Sequence, residues 1–144
     1  MDEFIKDWLN DLLVSVKKRT DKKTWNTIMD DCCHRCSDYW INKAKEIRKS
    51  NDNLKVDLLL ESFKNILPGG SPGLIRKDDI IIWDFQNDKC PCPVTEFIKD
   101  KSLQCQCSIG HVKLMLEALL NKPLDVNLIS SFHRDNKNCI FEIR

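Results

Sequence analysis

The sequence predicts an α+β fold: N-terminal helices packed on a small antiparallel sheet, with one long helix between two strand pairs. Three observations carry this reading. Apolar residues recur at helical spacing from Phe4 to Leu67. The stretch LPGGSPG, residues 67–73, then interrupts the chain more strongly than any other segment. Beyond it, two regions of alternating pattern flank a single helical one.

Residues 4–16 form the first expected helix, with Phe4, Ile5, Trp8, Leu9, Leu12, Leu13 and Val16 spaced for one face. Thr20 or Asp21 can cap a second helix carrying Trp25, Ile28 and Met29, then Cys32 and Cys36, then Tyr39 and Trp40, to about Lys49. KSNDN (49–53) ends it, and Leu54–Leu67 reads as a third helix. GLIRKDDIIIWDF reads as two strands around a turn at Lys77–Asp79, the second strand being Ile80–Phe85. Cys90–Pro91–Cys92–Pro93 stops that strand, because proline cannot donate to a ladder. Ser108–Asn121 reads as the long helix, opening near Cys107, and Pro123 follows it closely. LDVNLISSF and NCIFEI then read as two strands flanking a polar turn, His133–Asn138. The helices of the first half are expected to need the sheet to bury their apolar stripes.

A chain of 144 residues suits one domain, residues 1–144, with a helical part (1–67) and a cysteine-rich α+β part (74–144). Hydrophobic residues are 42% and charged residues 31%, the balance of a globular protein with a real core. The formal net charge is +1 and the lysines are interleaved with acids, which argues against a nucleic-acid or acidic-membrane partner. MDEFIKDWLN has no apolar export segment, and no apolar run spans a bilayer, so a cytoplasmic location is expected.

Cytoplasmic chemistry matters because the chain holds eight cysteines. In a reducing compartment, clustered thiols point to metal ligands or redox groups before structural disulfides. Four of them lie in KCPCPVTEFIKDKSLQCQCSIGH (89–111), as two Cys-x-Cys pairs: Cys90 with Cys92, and Cys105 with Cys107. DCCHRC adds a third pair, since Cys32 and Cys36 are one helical turn apart and share a face. Trp25, Met29, Tyr39 and Trp40 place that face inward, whereas Cys33 points elsewhere. Tetrahedral zinc takes four N or S ligands. Two adjacent ligands strain such a site, so one cysteine from each Cys-x-Cys pair is the simpler set. Cys107 opens a helix, where the backbone dipole and free N–H groups favour a thiolate. Cys139 alternates with Phe141 and reads as a core filler. His34, His111 and His133 read as surface or helix residues, although His111 lies four residues after Cys107 and within reach of the same site.

DDCCHRCS, CPCP and CQCSIGHVKLMLEALLNKPLDVNLISSFHRDNKNCIFEI together resemble a family of small bacterial and archaeal cysteine-rich proteins without an assigned function. Its pattern is Cys-x3-Cys on an early helix, Cys-x-Cys-Pro, Cys-x-Cys-Ser before a helix, and a closing Cys-x-Phe-x-Ile. The resemblance runs from about Trp25 to the end. The C-terminal half is also similar to the 4-vinyl reductase-like small-molecule-binding domain and to proteins named for L-2-amino-thiazoline-4-carboxylate hydrolase. In those relatives one cysteine before a proline and one opening the last long helix recur, and these match Cys92 and Cys107. The expected ligand set is therefore Cys32, Cys36, Cys92 and Cys107, with Cys90 and Cys105 in reserve and zinc as the ion. The chain departs from the pattern at Cys33-His34, where the family usually has Gly-Arg, and at His111, where it usually has an aromatic.

These readings converge on a metal-binding or small-ligand-binding module, such as a sensor, with an apolar pocket between helices and sheet that includes Trp83 and Phe85. A second reading is a hydrolase of a small cyclic thio-compound, as the resemblance implies, and a third is a structural or partner-binding domain whose cysteines are core residues. No Gly-x-Ser-x-Gly, carboxylate pair or phosphate loop occurs, and Cys107 with His111 is the only assignable Cys–His pair.

Overall fold

The computed structural model describes residues 2–100, 103 and 105–144. Its elements follow the expected order: α1 (Glu3–Arg19), α2 (Lys22–Ser50), α3 (Val56–Lys64), β1 (Leu74–Lys77), β2 (Ile80–Asp84), α4 (Cys105–Leu120), β3 (Val126–Ser130), α5 (Phe132–Asp135) and β4 (Ile140–Ile143). The four strands form one sheet in the order β1-β2-β4-β3, and every neighbouring pair is antiparallel. The α+β reading therefore holds, with α4 between the two strand pairs.

Local chemistry sets the boundaries. The Asp2 carboxylate accepts from the Phe4 N–H (3.2 Å) and starts α1. Asp21 does the same for α2, accepting from the Thr24 N–H at 2.7 Å. β1 turns into β2 through Asp78–Asp79, where Asp78 takes a left-handed φ of 53°.

The sheet is covered on one face. Leu74, Ile81, Trp83, Phe141 and Ile143 are buried there and pack with Phe63, Val112, Leu116 and Leu119. On the other face Ile75 is exposed, and Ile82 and Glu142 are only half-buried. Antiparallel sheets tolerate this one-sided arrangement.

Three expectations need correction. The turn at His133–Asn138 contains α5: the Ser131 hydroxyl caps Arg134 N–H (3.0 Å) and the Asp135 carboxylate accepts from Ser131 N–H (2.9 Å). Arg134 then donates to the Ile129 carbonyl (2.9 Å), at an irregularity of β3. The long helix begins at Cys105, three residues earlier than expected, so both cysteines of the second pair lie in its first turn. Finally, α1 does not bury its apolar stripe on the sheet. Phe4, Ile5, Trp8 and Leu12 are exposed, while Leu13, Val14 and Val16 pack against a small separate cluster of Trp25, Met29 and Leu103.

Candidate functional site

The site is positioned by the crossing of α2 and α4, which contact each other more than any other two elements do. On α2 the buried residues are Trp25, Met29, Cys33, Ser37 and Ala44. The first four step by one helical turn, and the last three are small, so α4 comes close. It does so at Gly110. A Cβ built there would stand 2.7 Å from Cys33 Sγ and 3.0 Å from Asp30 Oδ1. Cys33 is fully buried and its thiol donates to the Asp30 carbonyl (2.8 Å). This fixes the register that lays Cys107 and His111, on either side of Gly110, over Cys36 and Ser37.

Ser37 determines the protonation of His111. Its hydroxyl lies 2.7 Å from the Cys33 carbonyl and 2.6 Å from His111 Nδ1. The carbonyl can only accept, so the single hydroxyl proton goes to it. Nδ1 must then be the protonated nitrogen and donate to Ser37 Oγ. Burial holds the imidazole below its ordinary pKa, so it is neutral. Nε2 is left with its lone pair, the form that ligates a metal or accepts a proton.

The irregular segment after β2 brings the first Cys-x-Cys pair. Phe85 N–H donates to the Cys139 carbonyl (3.0 Å) at one end of it. At the other, the buried side chain of Asn10 accepts from Lys99 N–H (2.6 Å) and donates to the Phe97 carbonyl (3.3 Å). Lys99 also pairs with Asp7 on α1. Between these anchors, Cys92–Pro93–Val94–Thr95 makes a turn closed by Thr95 N–H to the Cys92 carbonyl (3.1 Å). The Val94 N–H and the Thr95 side chain both favour the Cys92 thiolate, although burial outweighs them and pushes the thiol up. The Thr95 hydroxyl also donates to Cys90 Sγ (3.1 Å) and lies 3.2 Å from His133 Nε2.

These elements enclose a cavity of about 150 Å³. Six cysteines line it: Cys36, Cys90, Cys92, Cys105, Cys107 and Cys139. His111 and His133 join them, and Phe85 and Phe141, 5.1 Å apart, are its aromatic wall. All eight cysteines of the chain are free thiols. Burial pushes the Cys107 thiol up to about 12, and the neighbouring thiols of Cys36, Cys33, Cys92 and Cys32 add to it by like charge. Among the described residues, no group of three or more His, Cys, Asp or Glu is already disposed to hold a metal ion.

Of the four expected ligands, Cys36, Cys92 and Cys107 line the cavity. Cys32 is exposed and outside its lining, yet close enough to Cys107 to affect it electrostatically. Against the expected orientation of α2, Cys33 is the buried thiol, and Cys32 and Cys36 occupy exposed positions, Cys36 at the cavity rim. Tyr39, expected to face inward, is 62% exposed. Cys139 packs against the main core as expected but also reaches the cavity, as does His133, carried by α5. Neither had a spacing signal, because both arrive through tertiary folding. A second cleft of about 320 Å³ adjoins the first and shares His111 and Phe85 with it. Trp83 lines it, and the buried Trp83 indole N–H has no hydrogen-bond partner among the described residues.

Fold and site together define a small α+β, cysteine-rich protein with a thiol-lined cavity between helices and sheet. The chain matches a family of unknown function, DUF6144, over residues 2–144, and it belongs to that family. No curated protein and no solved structure matches it. Among the described residues, no helix is long and apolar enough to cross a membrane.

Proposed function

We propose that this protein binds a soft or borderline metal ion, zinc in the first instance, through its cysteine cavity. The observation that supports it is that Cys36, Cys92, Cys107 and His111 all line one small cavity. Three sulfurs and one imidazole are a familiar closed zinc set. Ser37 would orient His111 from behind, as the outer partners of metal-bound imidazoles do. Closing the set on an ion would require the cysteine sulfurs to turn about their single side-chain bonds between staggered positions. Binding expels the thiol protons to solvent and so works against the raised thiol pKa values. Cys32, from the originally expected set, is the substitute for His111 as fourth ligand. The adjoining cleft with Trp83 and Phe85 gives a small organic ligand room beside the ion.

Elemental analysis of protein purified without added metal, on the native chain and on Cys36→Ser, tests the reading. Native protein should carry zinc and Cys36→Ser should lose it together with melting temperature. A native chain without metal, or a Cys36→Ser chain with unchanged metal, refutes it. Cys32→Ser and His111→Gln, compared side by side, identify the fourth ligand.

The hydrolase reading rests on the resemblance to thiazoline-carboxylate hydrolases and on Cys107 standing one turn before His111. A cysteine nucleophile needs a lowered pKa, and that of Cys107 is raised. Turnover of L-2-aminothiazoline-4-carboxylate that disappears in Cys107→Ala would revive it.

A further inference from the structure

A third cleft, of about 410 Å³, shares Cys105 and His133 with the thiol cavity. Five elements build it: the last turn of α1 brings Lys17, the first turn of α2 brings Lys22 and Trp25, α4 brings Gln106, β3 brings Asn127 and α5 brings Arg134. Its charges are all of one sign. The chain holds 22 Asp and Glu residues, yet none lines this cleft among the described residues. Lys17 Nζ stands 5.8 Å from the centre of the Trp25 ring, which helps to hold it in place. Neither Lys17 nor Lys22 pairs with a carboxylate among the described residues. Arg134 is anchored: Nε pairs with Asp135 (3.0 Å) and Nη2 donates to the Ile129 carbonyl (2.9 Å). Its Nη1 has no partner among the described residues. A guanidinium fixed in this way loses little freedom when its unused end meets an anion. The first turn of α4 adds the positive end of a 16-residue helix.

We propose that this cleft binds a phosphate monoester of a small organic molecule. Lys17, Lys22 and Arg134 bring more positive charge than a single carboxylate balances. A phosphate monoester carries about 1.5 to 2 negative charges at neutral pH and accepts several charge-assisted hydrogen bonds at once. The cleft has room for more than the phosphate, since its volume falls among those of small-molecule sites. Ile109 and Val126 give the organic part an apolar wall, and Asn26 and Gln106 offer it hydrogen bonds. Bound there, the ester stands beside Cys105 and His133, where the cleft and the thiol cavity meet. It is held by charge, hydrogen bonds and packing, with no covalent step. None of the proposed zinc ligands lines this cleft, so the two sites are tested independently.

Calorimetric titration of the reduced full chain with phenyl phosphate, inorganic phosphate and benzoate is the test. Phenyl phosphate should bind most tightly. Inorganic phosphate should bind about tenfold more weakly, because it buries no apolar surface, and benzoate, with a single charge, should also bind more weakly. Lys22→Gln should weaken phenyl phosphate by about tenfold. Lys122→Gln, which removes the same charge beyond the far end of α4, should leave its affinity unchanged. Far-UV circular dichroism checks that both variants are folded. Alkylation by iodoacetamide locates the site without substitution: phenyl phosphate should slow the reaction of Cys105 and spare that of the exposed Cys32. A native chain that binds no phenyl phosphate at millimolar concentration overturns the proposal. Equal affinity in Lys22→Gln and Lys122→Gln overturns it too, as does a Cys105 rate that phenyl phosphate leaves unchanged. Benzoate or inorganic phosphate bound as tightly as phenyl phosphate overturns the assignment to a phosphate monoester.

Discussion

Gly110→Ala probes the helix crossing that sets up the whole site. The new methyl carbon would lie 2.7 Å from Cys33 Sγ, 3.4 Å from Cys33 Cβ and 3.0 Å from Asp30 Oδ1. The sulfur belongs to a residue with no exposed surface, already hydrogen-bonded to the Asp30 carbonyl, so it has little freedom to retreat. Overpacking of this kind costs about 1–3 kcal/mol. Alanine is better than glycine in a helix interior by roughly 1 kcal/mol, which offsets part of it. The net expectation is a loss of up to about 2 kcal/mol, or up to roughly 8 °C in melting temperature for a chain of this size. The decisive assay is a double-mutant cycle in urea. Cys33→Ala alone removes a buried sulfur and should destabilise. In the Gly110→Ala background, the same change removes the clash, so the double variant should be more stable than the sum of the two losses by more than about 0.5 kcal/mol. A Gly110→Ala chain more stable than the parent, or an additive cycle, would show that α2 and α4 do not meet as described.

Three further outcomes follow from the anchors and buried groups. Asn10→Ala should lower stability by about 1–3 kcal/mol in denaturant titration, because the Lys99 N–H loses its acceptor; a neutral result would dissociate Asn10 from the cysteine segment. Ser37→Ala should weaken zinc binding about 10–100-fold in competition titration while the fold persists, since His111 loses the acceptor that selects its tautomer. Unchanged affinity would mean that Nε2 of His111 is not a ligand. In chelator-treated protein, stability should fall as pH rises from about 9 towards 12. The Cys33 and Cys107 thiols have folded pKa values raised to about 11 and about 12, so above 9 the unfolded chain releases protons that the folded chain retains. Cys107→Ala should flatten that slope, and an equal slope in the variant would refute the assignment.

The sequence disclosed the fold where periodicity was strong. The break at residues 67–73, the strand alternation at Ile81 and Trp83, and the apolar run of α4 were each enough to place their elements. It misled on α2 because the aromatic residues there are poor guides. Tyr39 faces solvent, whereas the buried line runs through Cys33, Ser37 and Ala44, residues whose small size rather than apolarity suits them to a close crossing. The same limitation hid Asn10, a polar residue buried for its hydrogen bonds. At the site, the thiol pairs were legible by count and spacing. The membership of Cys139 and His133 was not, since it depends on β2 pairing with β4 and on a short helix capped by Ser131.

The cavity draws its sulfurs from residue 36 through residue 139, from two helices, an irregular segment and the flank of a strand. In a zinc finger a short peptide closes around its ion, and the metal organises the chain. Here no short peptide contains the set, so an ion meeting the unfolded chain would have to close very long loops to be held. On the proposed metal reading, assembly would run from protein to metal: helices and sheet come together first, and loading comes last. Stripping the metal should accordingly leave the helical far-UV spectrum in place and lower only the temperature at which it is lost. On the proposed reading, the protein would take up and surrender metal without passing through an unfolded state.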